Sequence, residues 1–170
     1  MPSNKTLILV RHAHRDTDIP ARDNGLSVKG REQVKKLTQF ALRRLARKDF
    51  MHDEEDRPIA LILTSPQKRC QETIAPLAKE LGLKFSIDER VGEHQPMESN
   101  PAYLRRIKAF LDEWKKDGER LTIICSHGDW IPLAIQMLTG TQVEIRKSGW
   151  IEIKCRGDDC AITWMVQRHD

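Results

Sequence analysis

Four consecutive apolar residues, Leu7, Ile8, Leu9 and Val10, end abruptly in Arg11 and His12. An apolar run without alternation, bounded by charge, is the pattern of a strand covered on both faces, as at the centre of a parallel sheet. In open α/β sheets ligands bind outside the carboxyl ends of such strands, so this run delivers an Arg and a His to where a small anion would sit. The pattern recurs. Leu121 to Cys125 runs into Ser126, His127, Gly128 and Asp129, and Ile59 to Leu63 runs through Thr64, Ser65 and Pro66 towards Arg69. Three strand ends that carry Arg, His, Arg and His point to one site.

The intervening segments read as helices. Ser27 is a plausible N-cap, and Val34, Leu37, Ala41 and Leu45 then fall on one helical face. Ser65 and Pro66 suggest a cap followed by Pro at the first helical position; Cys70, Ile74, Leu77, Ala78 and Leu81 form the stripe, and Gly82 is a natural terminator. Asn100 and Pro101 open a helix expected to turn Leu104, Ile107, Leu111 and Trp114 inward. Another carries Ile131 to Leu138 and stops at Gly140. Thr17 to Asn24 reads as a polar loop over the site, Asp49 to Pro58 as a charged surface connection, and Leu83 to Ile87 as a short strand. Trp150 to Lys154 and Ala161 to Val166 read as a closing antiparallel hairpin. Strands alternating with helices predict an α/β fold, a three-layer sandwich with a largely parallel central sheet. At 170 residues, one domain over 1–170 is expected.

No apolar run approaches the roughly 20 residues that span a bilayer, and Met1 to Thr6 carries no secretory pattern. A soluble, cytoplasmic chain without a membrane partner is expected. Cys70 and Cys125 read as reduced core residues. Cys155 and Cys160 flank a turn, Arg156 to Asp159, and could be cross-strand neighbours; reduced thiols are expected there in a cytoplasm. The net charge of +4 is modest. Arg43, Arg44, Arg47 and Lys48 cluster at a predicted helix end, where the macrodipole favours cations, and read as a solvated face. Without interleaved aromatics they do not make a single-strand nucleic-acid platform, so no nucleic-acid partner is expected.

Taken together, Arg11-His12-Ala13, the block Ser65-Pro66-Gln67-Lys68-Arg69-Cys70-Gln71-Glu72-Thr73 and Ser126-His127-Gly128 resemble the three signatures of the histidine phosphatase, or phosphoglycerate mutase-like, superfamily. Gly25 to Gln33 and Asp88 to His94 are similar to two further family segments, so the matching blocks run in the family's order from residue 7 to about 130. Ala13 in place of Gly, and the short chain, resemble the compact bacterial phosphohistidine phosphatases. The resemblance implies a phosphoglycerate mutase-like fold and a phosphatase that uses no cofactor. It implies His12 as nucleophile and His127 as stabiliser of the transferring phosphoryl group. Arg11 and Arg69 would be its ligands, as guanidinium forks suit phosphate. Arg15 has the spacing of an additional arginine in the acid-phosphatase branch, and reads equally as a loop residue facing solvent.

Three carboxylates compete for the proton donor. Glu93 matches the family's segment after Arg90, Glu89 fits an alignment used in the mutases, and Asp129 stands near His127 but also suits the cap of the next helix. Glu93 is the choice carried forward. A metal site built from His12, His14, His127, Asp16 and Asp129 is the rival reading, disfavoured because the arginines would repel a cation; no metal is expected. The functional alternatives are a catalytically weak phosphate-sensing module and a phosphomutase, and the absence of a long insertion that could form a lid favours hydrolysis. A phosphorylated small molecule and a phosphoprotein both remain as substrates, since fold similarity does not choose between them.

Overall fold

A computed structural model describes residues 4–170. The reading of Met1 to Thr6 as lacking a secretory pattern therefore falls partly outside the described residues. In chain order the elements are β1 (Asn4–Arg11), α1 (Val28–Leu45), β2 (Leu61–Thr64), α2 (Lys68–Glu80), β3 (Phe85–Ile87), α3 (Asn100–Asp117), β4 (Leu121–Ser126), α4 (Trp130–Thr139), β5 (Trp150–Arg156) and β6 (Asp159–Val166). A single 3₁₀ turn, Glu89–Val91, sits between β3 and α3. No helix among the described residues is long and apolar enough to cross a membrane.

The strands form one sheet in the order β3-β2-β4-β1-β5-β6. Four of them, β3, β2, β4 and β1, are parallel. β5 and β6 run antiparallel on the far side of β1, so the expectation of a largely parallel sheet is corrected to a mixed one. The closing hairpin is not an appendage: β5 pairs with β1 along seven residues and covers an edge that would otherwise stay open.

β1 explains its own unbroken hydrophobicity. Successive side chains point to opposite faces of the sheet. Leu7 and Leu9 join the core beneath α3 and α4, while Ile8 and Val10 join the core beneath α1 and α2. The stripes expected on α1 and α2 are buried throughout. On α3, Leu104 is 40% exposed, against expectation, and Tyr103 and Phe110 fill the inward face beside Ile107, Leu111 and Trp114. α4 ends at Gly140, in the left-handed conformation (φ 72°) that favours glycine.

Two readings of the cysteines and of the α2 start are also corrected. Cys155 and Cys160 face each other across β5 and β6 and are joined as a disulfide, not held as free thiols. Cys70 and Cys125 are free and buried, as expected. α2 begins at Lys68 with Gln67 as its cap. The Ser65 hydroxyl lies too early in the chain to be that cap: it accepts from Gln67 N–H at 3.4 Å and stands 2.7 Å from His127 Nε2.

Sheet order positions the site. β4 inserts between β1 and β2, and the register sets Arg11 beside Ser126 and Thr64 beside Cys125. The backbone then continues one residue past the ladder on both sides. His12 N–H donates to Ser126 O at 3.0 Å, and Ser65 N–H donates to Cys125 O at 3.0 Å. His12, His127 and Ser65 leave the sheet from three adjacent strand ends.

Candidate active site

The His12 and His127 rings lie edge to face, with centroids 5.3 Å apart. His12 Nδ1 is 2.7 Å from the carbonyl oxygen of Ala13. A carbonyl only accepts, so Nδ1 carries the proton and the lone pair is left on Nε2. That lone pair faces Arg69, whose Nε–H donates to Nε2 at 3.4 Å. Ala13 is held in turn: its N–H donates to Thr73 Oγ1 at 3.0 Å, and the Thr73 hydroxyl donates to Arg69 O at 2.7 Å. Thr73 thus ties the turn that orients His12 to the first turns of α2 that carry Arg69.

His127 is clamped from both sides. Its Nε2 is 2.7 Å from Ser65 Oγ, and its Nδ1 is 3.3 Å from the Arg69 terminal nitrogen. Arg69 is buried and makes a 2.6 Å ion pair with Glu93 Oε2 and a 3.5 Å contact with Asp23 Oδ1. Glu93 Oε2 also lies 3.7 Å from His127 Nδ1. Arg11 donates to Ile145 O at 2.7 Å, yet its buried Nε has no partner among the described residues.

The electrostatics keep both imidazoles neutral. Burial, followed by the charges of Arg69, Arg11 and Lys147, holds His12 down at about 4, partly opposed by the Ala13 carbonyl. Burial and the neighbouring His12 and Arg69 push His127 to about 2. A neutral imidazole is the form with a lone pair to give.

The structure brings together Arg11, His12, Arg69, Glu93 and His127. Arg15 lies apart from their hydrogen bonds and donates to Pro20 O at 2.9 Å in its own loop. Of the competing acids, Glu89 is exposed in the 3₁₀ turn. Asp129 caps α4 through Trp130 N at 2.9 Å and accepts from His94 N at 2.9 Å. His14 turns to Ser27, with its Nδ1 2.8 Å from Oγ, away from the pair it would join in a metal cluster.

Sequence reasoning did not find Arg106, Asp23 or Ser65 as parts of the site. Arg106 on α3 donates to four carbonyls, those of Glu89, Arg90, Gly92 and Glu93, and to both oxygens of Glu98. It fastens the segment that presents Glu93. Asp23 accepts from Lys68 N–H and so holds the 17–24 loop to the start of α2. Nothing in a one-dimensional pattern marks an arginine that spends its donors on distant carbonyls.

The model of the histidine phosphatase superfamily (branch 1) matches residues 7–96, more than half of the chain. The chain belongs to this superfamily. This histidine phosphatase is 22% identical, over 95% of both chains, to a Hydrogenobacter thermophilus protein named as a candidate phosphoserine phosphatase. Among solved structures it is similar to the phosphoserine phosphatase of Entamoeba histolytica, a histidine-to-alanine variant in complex with phosphoserine. There the TM-score is 0.70 at 16% identity, over 95% of this chain and 96% of the other. It is also similar to the protein histidine phosphatase SixA complexed with tungstate, with a TM-score of 0.69 at 14% identity over 95% and 96% of the two chains. At these identities the likeness carries the fold alone. Membership in the superfamily makes the chain an enzyme that acts as a phosphatase.

Proposed function

We propose that this histidine phosphatase hydrolyses phosphomonoesters or phosphoramidates through a phosphohistidine on Nε2 of His12. The observation that carries the reading is the Ala13 carbonyl on Nδ1, which leaves the Nε2 lone pair as the nucleophile, facing the Arg69 guanidinium. Arg11, with its unpartnered Nε, and Arg69 bind the phosphoryl oxygens. His127 lends a further donor once the bound dianion raises its proton affinity.

In the first step Nε2 attacks phosphorus, and the bond from phosphorus to the leaving oxygen or nitrogen breaks. Glu93 gives that atom its proton. Glu93 is ion-paired with Arg69, and the proton it passes on enters with the substrate as Arg69 turns to the phosphate. In the second step water attacks phosphorus and loses a proton to Glu93. The phosphorus–nitrogen bond breaks, releasing inorganic phosphate and neutral His12.

His12→Ala tests this directly. Its turnover of an aryl phosphate is expected to vanish while its circular dichroism stays unchanged. During wild-type turnover, an alkaline quench should keep labelled phosphate on His12 and an acid quench should release it, because phosphoramidates are acid-labile. Substantial activity in pure His12→Ala, or an acid-stable label, overturns the mechanism.

A further inference from the structure

Arg11, one member of the catalytic cluster, also lines a strongly basic cleft. A cavity of about 470 Å³ is lined by Arg11, Lys29, Lys36, Arg146, Lys147 and Arg168, with Asp170 on its wall. It lies between the first turns of α1, the loop before β5 and the segment after β6. Among the described residues none of these six cations forms an ion pair.

The walls are built, not loosely draped. Gln167 accepts from Arg146 N–H at 2.7 Å and donates to Glu144 O at 2.7 Å. Buried His169 lies 2.7 Å from Ser148 O through Nε2. Ser148, held at a φ of 62°, donates its N–H to Arg11 O at 3.1 Å. The loop that carries Arg146 and Lys147 is therefore fixed both to the segment after β6 and to the strand end that carries Arg11 and His12. Lys147 lines the cleft; its charge is felt by His12, and burial, Arg11, Lys29 and Arg15 all weaken its hold on its proton.

Holding like charges together in a concave surface raises their mutual repulsion, and a polyanion relieves it. We propose that this cleft is a subsite for a second phosphate, so that the enzyme's substrate is a small molecule bearing at least two phosphate groups. The proposal rests on the phosphohistidine reading, which places the first phosphate between Arg11 and Arg69. Arg11 belongs to both regions, so the two phosphates lie on either side of it. The cavity has the volume of a small-ligand pocket. Five cations beyond Arg11 exceed what one carboxylate needs.

The test uses orthophosphate and tripolyphosphate as competitive inhibitors of aryl phosphate hydrolysis. Wild-type enzyme is compared with Lys36→Glu/Arg168→Glu and with a control, Arg43→Glu/Lys48→Glu, which reverses two exposed charges at the far end of α1. Tripolyphosphate is expected to inhibit wild type and control at least tenfold more tightly than orthophosphate. The Lys36/Arg168 variant should lose at least tenfold of that preference. Equal loss in the control, or no loss in either, overturns the subsite. So does a phosphopeptide with acidic neighbours whose turnover alone depends on Lys36 and Arg168, because the occupant is then a peptide. If wild type hydrolyses no phosphate ester, the phosphohistidine reading fails by itself. Calorimetry on His12→Ala then decides the subsite, which stands only if tripolyphosphate binds more tightly than orthophosphate and charge reversal removes the difference.

Discussion

Arg44 on α1 and Glu152 on β5 form a two-pronged ion pair, with Nε to Oε1 and a terminal nitrogen to Oε2 both at 2.8 Å. Glu152 is wholly buried, beside Ile8 in the sheet, and also accepts from Trp150 Nε1 at 2.9 Å. The basic cluster at the end of α1 is thus only partly the solvated face that its sequence suggests. Deleting one partner of a buried pair leaves the other charge uncompensated, at a cost of about 3–5 kcal/mol. Arg44→Ala is expected to lose about that much stability in urea unfolding. Adding Glu152→Leu should restore a large part of it. A loss below about 1 kcal/mol, the range of a surface pair, would mean that water reaches Glu152.

Gly128 controls where Arg11 can sit. A Cβ at this position would stand 2.5 Å from Arg11 Cζ, far inside contact distance. Its φ lies outside the left-handed region, so alanine suits the backbone and the damage falls on the guanidinium. Gly128→Ala should keep its fold and lose roughly a hundredfold in kcat/KM, the scale of an ångström's misplacement. Orthophosphate inhibition should weaken alongside. Unchanged kinetics would remove Arg11 from the phosphate site.

Much of this architecture is legible in the chain. β1 and β4 read clearly because burial on both faces leaves no polar alternation, and the stripes of α1 and α2 are set by helical period alone. The position of β4 between β1 and β2 is not legible, since it depends on pairings far apart in sequence. The same holds for β5 against β1. Glu152 sits in a strand pattern that cannot say which alternating face is covered, so a buried carboxylate passes for a surface one. At the candidate site, Arg11, His12 and His127 stand at strand ends, where position itself carries the signal, and Arg69 follows β2 on the first turn of α2. Arg106 and Ser65 act through partners that only the folded chain supplies.

The depressed proton affinity of His12 makes stability depend on pH. Between pH 6.5 and about 4 the unfolded chain holds a proton on this imidazole that the folded chain lacks. Stability is therefore complete above the unfolded value and falls as pH drops through that window, by on the order of 3 kcal/mol from His12. Buried, neutral His127 adds in the same direction. Thermal melts from pH 7 to pH 4 should show the decline, and His12→Ala should flatten part of it. Vanadate should oppose the decline, because an oxyanion held only by the folded site stabilises it and favours protonated His127. A melting temperature that stays constant across the window would contradict neutral burial of both rings.

The proton donor can be separated from its rivals by leaving group. Glu93 touches the cluster through Arg69 at 2.6 Å, whereas Glu89 faces solvent and Asp129 has its oxygens on Trp130 N–H and His94 N–H. A general acid matters most when the departing oxygen is a poor leaving group. Glu93→Gln is thus expected to slow an alkyl phosphate roughly a hundredfold or more, and an activated aryl phosphate far less. Glu89→Gln should change neither. Asp129→Asn should slow both substrates to a similar degree, since it loosens the α4 cap and the His94 backbone whatever the leaving group. Pre-steady-state rates for both substrates on all three variants make the comparison. If Asp129→Asn alone shows the leaving-group-dependent loss, the proton comes from the start of α4, and Glu93 serves only to hold Arg69.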